Sequence, residues 1–433
     1  MAIQLREKKQ YDVIIIGGGA AGIMAAISAK KHHPDYSVAI LDRTFALGRK
    51  ILVAGAGRCN VTNINLDKSA ESRYYGASHD FVKSVFEQFT YDQIVEFFDE
   101  LGIELYVERK TQIGKLFPVT DQAKTVTNLL EDELNRLGVE IFLNTEVSSV
   151  QRQGEDFVLK AKKIENNVPV GGDLTFTSEY LVLSAGGKTY PALGSNGSGY
   201  ILAESLGHRI IGPVPSALPL VGKNPISQEA NGTKMEIEVT SIIDGKEVKT
   251  TADDVMFTQY GLSGPAILNV SREISIQLNR YNKGSILVRL NFFPGKTEGE
   301  TLTMLKDRWI RRPNQSVEMS LNGLLAPKLP PVLLKILHIP ANKHVSQLTE
   351  KEQESLARLL SNYKVAITET RGWNEAEFTA GGVDTLEVKT GTLESSKVPH
   401  LYFAGEILDV DGDVGGFNLS WAWSSGFVVG RLA

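Results

Sequence analysis

The sequence predicts an α/β fold, a parallel sheet interrupted by a long insertion of antiparallel strands followed by helices. Tyr11–Ile16 (YDVIII) is an unbroken β-branched run that stops at glycines, as a strand covered on both faces does. Two further apolar runs, Tyr180–Ser184 (YLVLS) and Leu401–Ala404 (LYFA), stop at glycine in the same way. Between these last two the texture changes. Short alternating segments with turn residues between them give way to helical patterning punctuated by proline.

In chain order, Tyr11–Ile16 is the first strand. Ala20–Lys30 reads as a helix with small residues on one side, and Ser37–Leu41 (SVAIL) as the second strand, ending at Asp42. Strand, glycine turn, helix and strand make one βαβ unit. Asp80–Leu101 has helical spacing of Phe81, Val85, Phe86 and Phe89 and is closed by Gly102; Ile103–Val107 follows as a strand. Thr125–Leu137 is a helix ended by Gly138, and Val139–Val150 with Asp156–Lys162 alternates as a hairpin does. Residues 210–295, with segments such as Lys234–Thr240 and Ser285–Leu290, have the spacing of a small antiparallel barrel or sandwich. Residues 298–360 read as helices interrupted at Pro313, Pro327, Pro330, Pro331 and Pro340. From about Val365 the texture is strand-like again. The expected division is a discontinuous nucleotide domain, 1–200 and 363–433, and an insert, 201–362, split into a barrel at about 205–297 and a helical unit at about 298–362.

Composition bounds the function. With 433 residues, 42% hydrophobic, the chain can bury a sizeable core, and a net charge of −5 excludes a generally basic surface that would hold nucleic acid by charge alone, though not a local basic patch; no DNA partner is expected. The single cysteine, Cys59, cannot form an internal disulfide. The opening MAIQLREKKQYD has no apolar core of a signal peptide, and no run approaches the roughly 20 apolar residues of a membrane-spanning helix. A cytoplasmic protein without membrane contact is expected.

The chemistry begins at Gly17-Gly18-Gly19-Ala20-Ala21-Gly22, which satisfies G-x-G-x-x-G at Gly17, Gly19 and Gly22. The first glycine permits the tight turn, the second admits a pyrophosphate to the backbone, and the third lets helix and strand pack closely. The helix N-terminus then presents free N–H groups and a positive dipole end to the phosphates. Asp42 closes the next strand, where an acid accepts from a ribose hydroxyl, and Arg43 follows it. With a strand before it, a helix after it and an acid at this distance, the motif reads as a Rossmann dinucleotide site.

Gly48-Arg49-Lys50 and Gly55-Ala56-Gly57-Arg58-Cys59-Asn60-Val61-Thr62-Asn63 form a second loop dense in glycine, cations and amides. Its cations can face phosphate or the pyrimidine carbonyls of a flavin; the plainer alternative is a polar surface loop. Ala185-Gly186-Gly187 ends the YLVLS strand as a glycine turn beside the dinucleotide, and Val147 in the preceding hairpin is placed for backbone contacts to adenine. Gly405-Glu406 ends LYFA with an acid suited to a ribityl hydroxyl. Asp409 and then Gly415-Gly416-Phe417-Asn418 follow, opening a helix whose N-terminus can face the N1–C2=O edge of a flavin. Together with the first motif these residues predict FAD.

Cys59 has two readings. A free cysteine is more often a small buried hydrophobe; beside Arg58 and Lys50 it is also a candidate catalytic acid. The alternative proton source is water or a tyrosine such as Tyr190. No CxxC pair and no histidine spacing for a metal occurs.

The segments Gly48–Asn63, GKLFPVTDQA (Gly114–Ala123), SAGGKTYPALGSNGSGY (Ser184–Tyr200), FTQYGLSGPAIL (Phe257–Leu268), EFTAGGV (Glu377–Val383) and AGEILDVDGDVGGFN (Ala404–Asn418) resemble the HI0933-type flavoprotein family over nearly the whole chain. The resemblance implies an FAD domain of the two-dinucleotide-binding type interrupted by a β-barrel and a small helical unit. It also implies reductive chemistry on activated C=C bonds, of a uridine in ribosomal RNA or of steroid-like enones. With one complete dinucleotide fingerprint, NAD(P)H is expected only as a transient donor. Two rivals stand beside this: an amine oxidase using O₂, and a flavin-containing RNA- or protein-binding module. Arg308, Arg311 and Arg312 beside Trp309 hint at nucleic acid, against the plainer reading of a solvated helix face. The turn Gly261–Pro265 is expected to reach the flavin's reactive face from the insert.

Overall fold

The computed structural model describes residues 8–108, 114–165 and 168–433. It divides into two compact units, 1–213 with 378–433 and 214–377.

In the first unit β1 (Lys8–Ile16), α1 (Ala20–His32) and β2 (Val38–Leu41) form the expected βαβ. The sheet runs Glu140–Phe142, β2, β1, Val168–Leu183, Asp156–Glu165, Thr145–Gln153, with Leu401–Phe403 also on Val168–Leu183. Pairing is parallel from Glu140–Phe142 through β2 and β1 to the end of Val168–Leu183 and on to Leu401–Phe403. The first part of Val168–Leu183 instead pairs antiparallel with Asp156–Glu165. One long strand thus serves both a hairpin layer and the parallel sheet.

The small residues of α1 have a packing reason. A Cβ on Gly426 or Gly430 of the C-terminal helix, Phe417–Leu432, would come within 2.4 Å of the Ala21 carbonyl oxygen or 2.2 Å of that of Ala25. The two helix backbones meet there, and Ser28 Oγ donates to the Phe427 carbonyl at 2.7 Å.

The structure departs from the expected elements in three places in this unit and its boundary. The helix expected over Asp80–Leu101 is two, His79–Phe86 and Tyr91–Glu100, because Thr90 opens the second with a capping box to Gln93. Residues 140–142 do not join a hairpin but lie parallel to β2; the hairpin is Thr145–Gln153 with Asp156–Glu165. The boundary moves at both ends of the expected insert: residues 201–213 sit in the first unit, and 363–377 in the second, since Tyr363–Ala366 pairs with Ile286–Asn291 there. An alternating texture does not say which sheet a strand joins.

The second unit carries a seven-stranded antiparallel sheet whose terminal strands, Tyr363–Ala366 and Glu369–Thr370, are consecutive in the chain. Between them Ile367 N–H donates to the Ile286 carbonyl and Thr368 N–H to that of Val221. Helices Glu298–Arg311, Val317–Asn322, Leu329–Ile336 and Glu350–Ser361 share one core with it, including Val288, Leu290, Leu305, Leu333 and Leu360.

Candidate cofactor site

The N-terminus of α1 is built for an anion. Gly17 has φ of 103°, and a Cβ there would meet the Ser184 carbonyl oxygen at 2.6 Å; one on Gly22 would meet the Gly17 oxygen at 1.9 Å. Ser184 Oγ donates to the Gly17 carbonyl at 2.9 Å, clamping the turn from the neighbouring strand. A Cβ on Gly19 would meet nothing within 4 Å, so the backbone at the second glycine is open to a ligand. Gly19 caps α1 without a side-chain hydrogen bond, and no acidic residue stands in the first turn. The first amides of this helix therefore have no side-chain acceptor, which fits a pyrophosphate.

Asp42 organises the adjoining corner. Its Oδ2 accepts from Gly18 N–H and its Oδ1 from Thr44 N–H and Thr44 Oγ1, each at 2.7 Å. A carboxylate has about four acceptor positions, so capacity remains for ribose hydroxyls. Arg43 Nε donates to Glu146 at 3.0 Å, next to Val147, which is buried and paired with Ala161. Asp42, Arg43, Glu146 and Val147 thus meet at one end of the site.

At the other end distant segments converge. Lys50, on α2 (Arg49–Gly57), donates to Glu406 Oε2 at 2.5 Å and to Thr189 Oγ1 at 2.9 Å. Glu406 Oε1 accepts from Thr379 N–H at 2.9 Å, and the Thr379 hydroxyl accepts from Lys188 N–H. Gly187 is required here, since its Cβ would stand 2.2 Å from Thr379 Oγ1. Gly186 begins this turn with φ of 71°, after the half-buried Ala185. Burial, reinforced by the charges of Glu406 and Asp409, raises the Tyr200 phenol well above its ordinary value, so it stays protonated. Gly405 N–H donates to Ser425 and its carbonyl accepts from Trp421, which seats the closing strand on the C-terminal helix.

The second loop is strained and interlocked. Gly55, Ala56, Gly57 and Cys59 all have positive φ, of 57°, 58°, 83° and 65°. For Ala56 and Cys59 this conformation costs about 1–2 kcal/mol each. With its amide oriented to satisfy its neighbours, Asn60 donates to the Thr62 and Leu116 carbonyls and accepts from Gly416 N–H. Asn63 donates to the Gly415 carbonyl at 2.8 Å, and the Thr62 and Ser420 hydroxyls are 2.8 Å apart. Asn418 closes the glycine loop, accepting from Gly412 N–H and donating to the Gly412 and Asp413 carbonyls. Phe417 is buried, and buried Asp409 lies so close to Gly76 that a Cβ there would stand 2.3 Å from the Asp409 carbonyl oxygen.

Several sequence-predicted roles change. Arg58, expected to face phosphate or flavin carbonyls, has its guanidinium 4.0 Å over the Phe117 ring and paired with Glu108 at 3.0 Å. Arg49 donates to the Ala192 carbonyl and lies over Phe45. Cys59 is fully buried, and burial pushes its thiol up to about 12. The cations expected to stabilise its thiolate are committed to Glu108 and Glu406, so the geometry favours packing over proton donation. Sequence reasoning missed Thr44, Thr189 and Thr379. The last two lie inside the quoted segments Ser184–Tyr200 and Glu377–Val383, but a lone threonine announces no role. Among the described residues no group of side chains could hold a metal ion, and no helix is long and apolar enough to cross a membrane.

Residues 11–432 match the family model described as the HI0933-like protein Rossmann domain. The chain belongs to this family. It is 36% identical to the 3-dehydro-bile acid delta(4,6)-reductase of Clostridium scindens over 97% of this chain and 98% of that one. It is 33% identical to the ribosomal RNA dihydrouridine synthase of Escherichia coli over 96% of each. In fold it resembles E. coli quinol fumarate reductase, with a TM-score of 0.52 and 15% identity, covering 98% of this chain and 70% of that one. It also resembles the 3-ketosteroid delta1-dehydrogenase of Sterolibacterium denitrificans, with a TM-score of 0.50 and 13% identity over 98% and 99%. This HI0933-like protein is an FAD-dependent oxidoreductase of the reductase kind.

Proposed function

We propose that it reduces a carbon–carbon double bond conjugated to a carbonyl. One observation carries this reading: two relatives, each similar over nearly the full chain, share that chemistry. By their names, one reduces the unsaturated system of a 3-oxo bile acid and the other makes dihydrouridine, in which the ring double bond next to a carbonyl is saturated.

Gly17–Gly22 and the α1 N-terminus hold the FAD pyrophosphate in this reading. Asp42 accepts from the ribose, and Arg43 and Val147 border the adenine. Gly48, Lys50 and Glu406, with Ala185–Gly187 and Gly405, line the ribityl chain. Gly57, Asn60, Asp409 and Gly415–Asn418 frame the ring system, where the C-terminal helix end favours negative charge. FAD, when bound, supplies the hydride carrier, and NAD(P)H visits as donor. Hydride adds to the β-carbon of the acceptor and a proton to the α-carbon. Tyr190 is the donor this reading favours: it is half-buried, held at φ of 53°, and follows Thr189 directly. Solvent reprotonates the phenolate.

In a sealed anaerobic cell, NADH or NADPH should be consumed beyond one equivalent per flavin only when a conjugated enone is present, with a product richer by two hydrogens. Tyr190→Phe should slow that acceptor step about 10²-fold and leave flavin reduction by the donor unchanged. Nicotinamide oxidation that needs O₂ and yields peroxide would overturn the assignment.

A further inference from the structure

The helix Glu298–Arg311 of the second unit ends in Arg308, Arg311 and Arg312, all exposed. Other arginines of this unit are neutralised: Arg272 by Glu273, Arg289 by Glu247, Arg358 by Glu298 and Arg371 by Glu375. Arg308, Arg311 and Arg312 have no ion pair among the described residues, although Asp307 stands on the same helix and Glu318 on the next. Trp309 is not a stacking platform. It is 5% exposed, and its Nε1 donates to Ser320 at 3.1 Å. Ile310, 77% exposed, stands among the arginines instead.

The turn that carries this cluster is rigid. Gln315 N–H donates to the Arg312 carbonyl, Val345 N–H to that of Gln315, Ser346 N–H to that of Pro313, and Val317 N–H to that of Lys343. Three unneutralised guanidinium groups on a hydrogen-bonded backbone, in a protein of net charge −5, form a local face suited to an anion.

We infer that this face binds the phosphate backbone of an RNA substrate. This rests on the proposed reduction of conjugated double bonds. Guanidinium forks match phosphodiester oxygens in pairs. An anionic membrane fits less well. Leu305 and Trp309, the apolar face of the helix, are buried in the unit's own core, leaving a bilayer only isolated side chains such as Ile310 and Met319.

The test uses FAD-loaded full-length enzyme and a fluorescein-labelled, uridine-containing RNA hairpin, titrated by anisotropy at several salt concentrations. A variant carrying Arg308→Ala, Arg311→Ala and Arg312→Ala should bind at least about tenfold more weakly, and its salt slope should be shallower by about 2–3. The matching triple Arg→Lys variant should keep most of the affinity and slope. Flavin content and enone reduction should be unchanged in both, which shows that the fold survives. Equal RNA affinity and slope in wild type and the alanine variant would overturn the proposal. So would no RNA binding by wild type, or arginine-dependent binding to phosphatidylserine vesicles without arginine-dependent RNA binding. If RNA binding depends on the arginines but neither uridine nor enone is reduced, this face stands and the proposed reaction fails.

Discussion

At the adenosine end of the candidate site the ties span less of the chain: Gly18 N–H reaches Asp42 across 24 positions, Thr44 reaches Asp42 across 2, and Arg43 reaches Glu146 across 103. At the flavin end they span the chain: Lys50 meets Glu406 across 356 positions, Asn63 meets Gly415 across 352, and Thr62 meets Ser420 across 358. The first end is built on one βαβ unit, to which Glu146 of the hairpin and Ser184 of the long strand add their contacts. The second exists only when both chain ends have closed on each other over the insertion. A local motif can be weakened one bond at a time, whereas a convergent one is sensitive to anything that shifts the closure.

The severest break comes from Gly22→Val. The added carbon overlaps the Gly17 carbonyl at 1.9 Å, inside the turn that both ends depend on. The purified variant should be colourless and poorly soluble; a yellow, stable protein would show that the turn can open without loss of either end.

Lys50→Met and Glu406→Gln sharpen the comparison at the convergent end. Each leaves a partly buried partner unpaired and should weaken FAD binding by about 1–3 kcal/mol. The double variant should lose less than the sum, because the two groups act on one another. Strict additivity in FAD titrations of the four proteins would mean that the ion pair is incidental to the cofactor.

Asp42→Ala acts at the local end and should cost about 1–3 kcal/mol of FAD affinity, through ribose hydrogen bonds and a looser Gly18–Thr44 corner. Unlike the variants at Lys50 and Glu406, it should leave the positions of flavin-end groups, and therefore the visible flavin spectrum, unchanged. Equal occupancy after dialysis would count against the ribose assignment.

This contrast also explains what was legible in the sequence. The βαβ unit could be read because strand, glycines, helix and acid follow one another, each at a spacing set by backbone geometry. Glu406 was legible as an acid after a strand, but not its partner, because nothing near Lys50 encodes a residue so far along the chain. The loop around Cys59 was recognised as special from its glycines. Its partners were not, since nothing near Arg58 in the sequence announces Phe117 and Glu108. The helix break at Thr90 was written in Thr90 and Gln93, but the continuing apolar pattern across it concealed the cap.

The smallest effect belongs to Cys59. Burial raises its thiol from 9.0 to about 12, so the native enzyme should not react with thiol reagents at mildly alkaline pH, while the denatured chain should react fully. The folded value is the higher one, so this group's contribution to stability is intact below about pH 9 and declines as pH rises towards 12. Cys59→Ser should leave both half-reactions at wild-type rates. Rapid labelling of the native thiol, or slow reoxidation by acceptor alone in this variant, would return Cys59 to the chemistry.

The central claim is that electrons held at this site pass to a conjugated double bond. It is tested most directly by single turnover: holoenzyme is reduced anaerobically, freed of excess donor and mixed with a steroid-like enone or a uridine-containing RNA. The account predicts that flavin absorbance returns without oxygen and that one saturated product forms per flavin. Flavin that stays reduced with both acceptors until air is admitted, then reoxidises with release of peroxide, would contradict it.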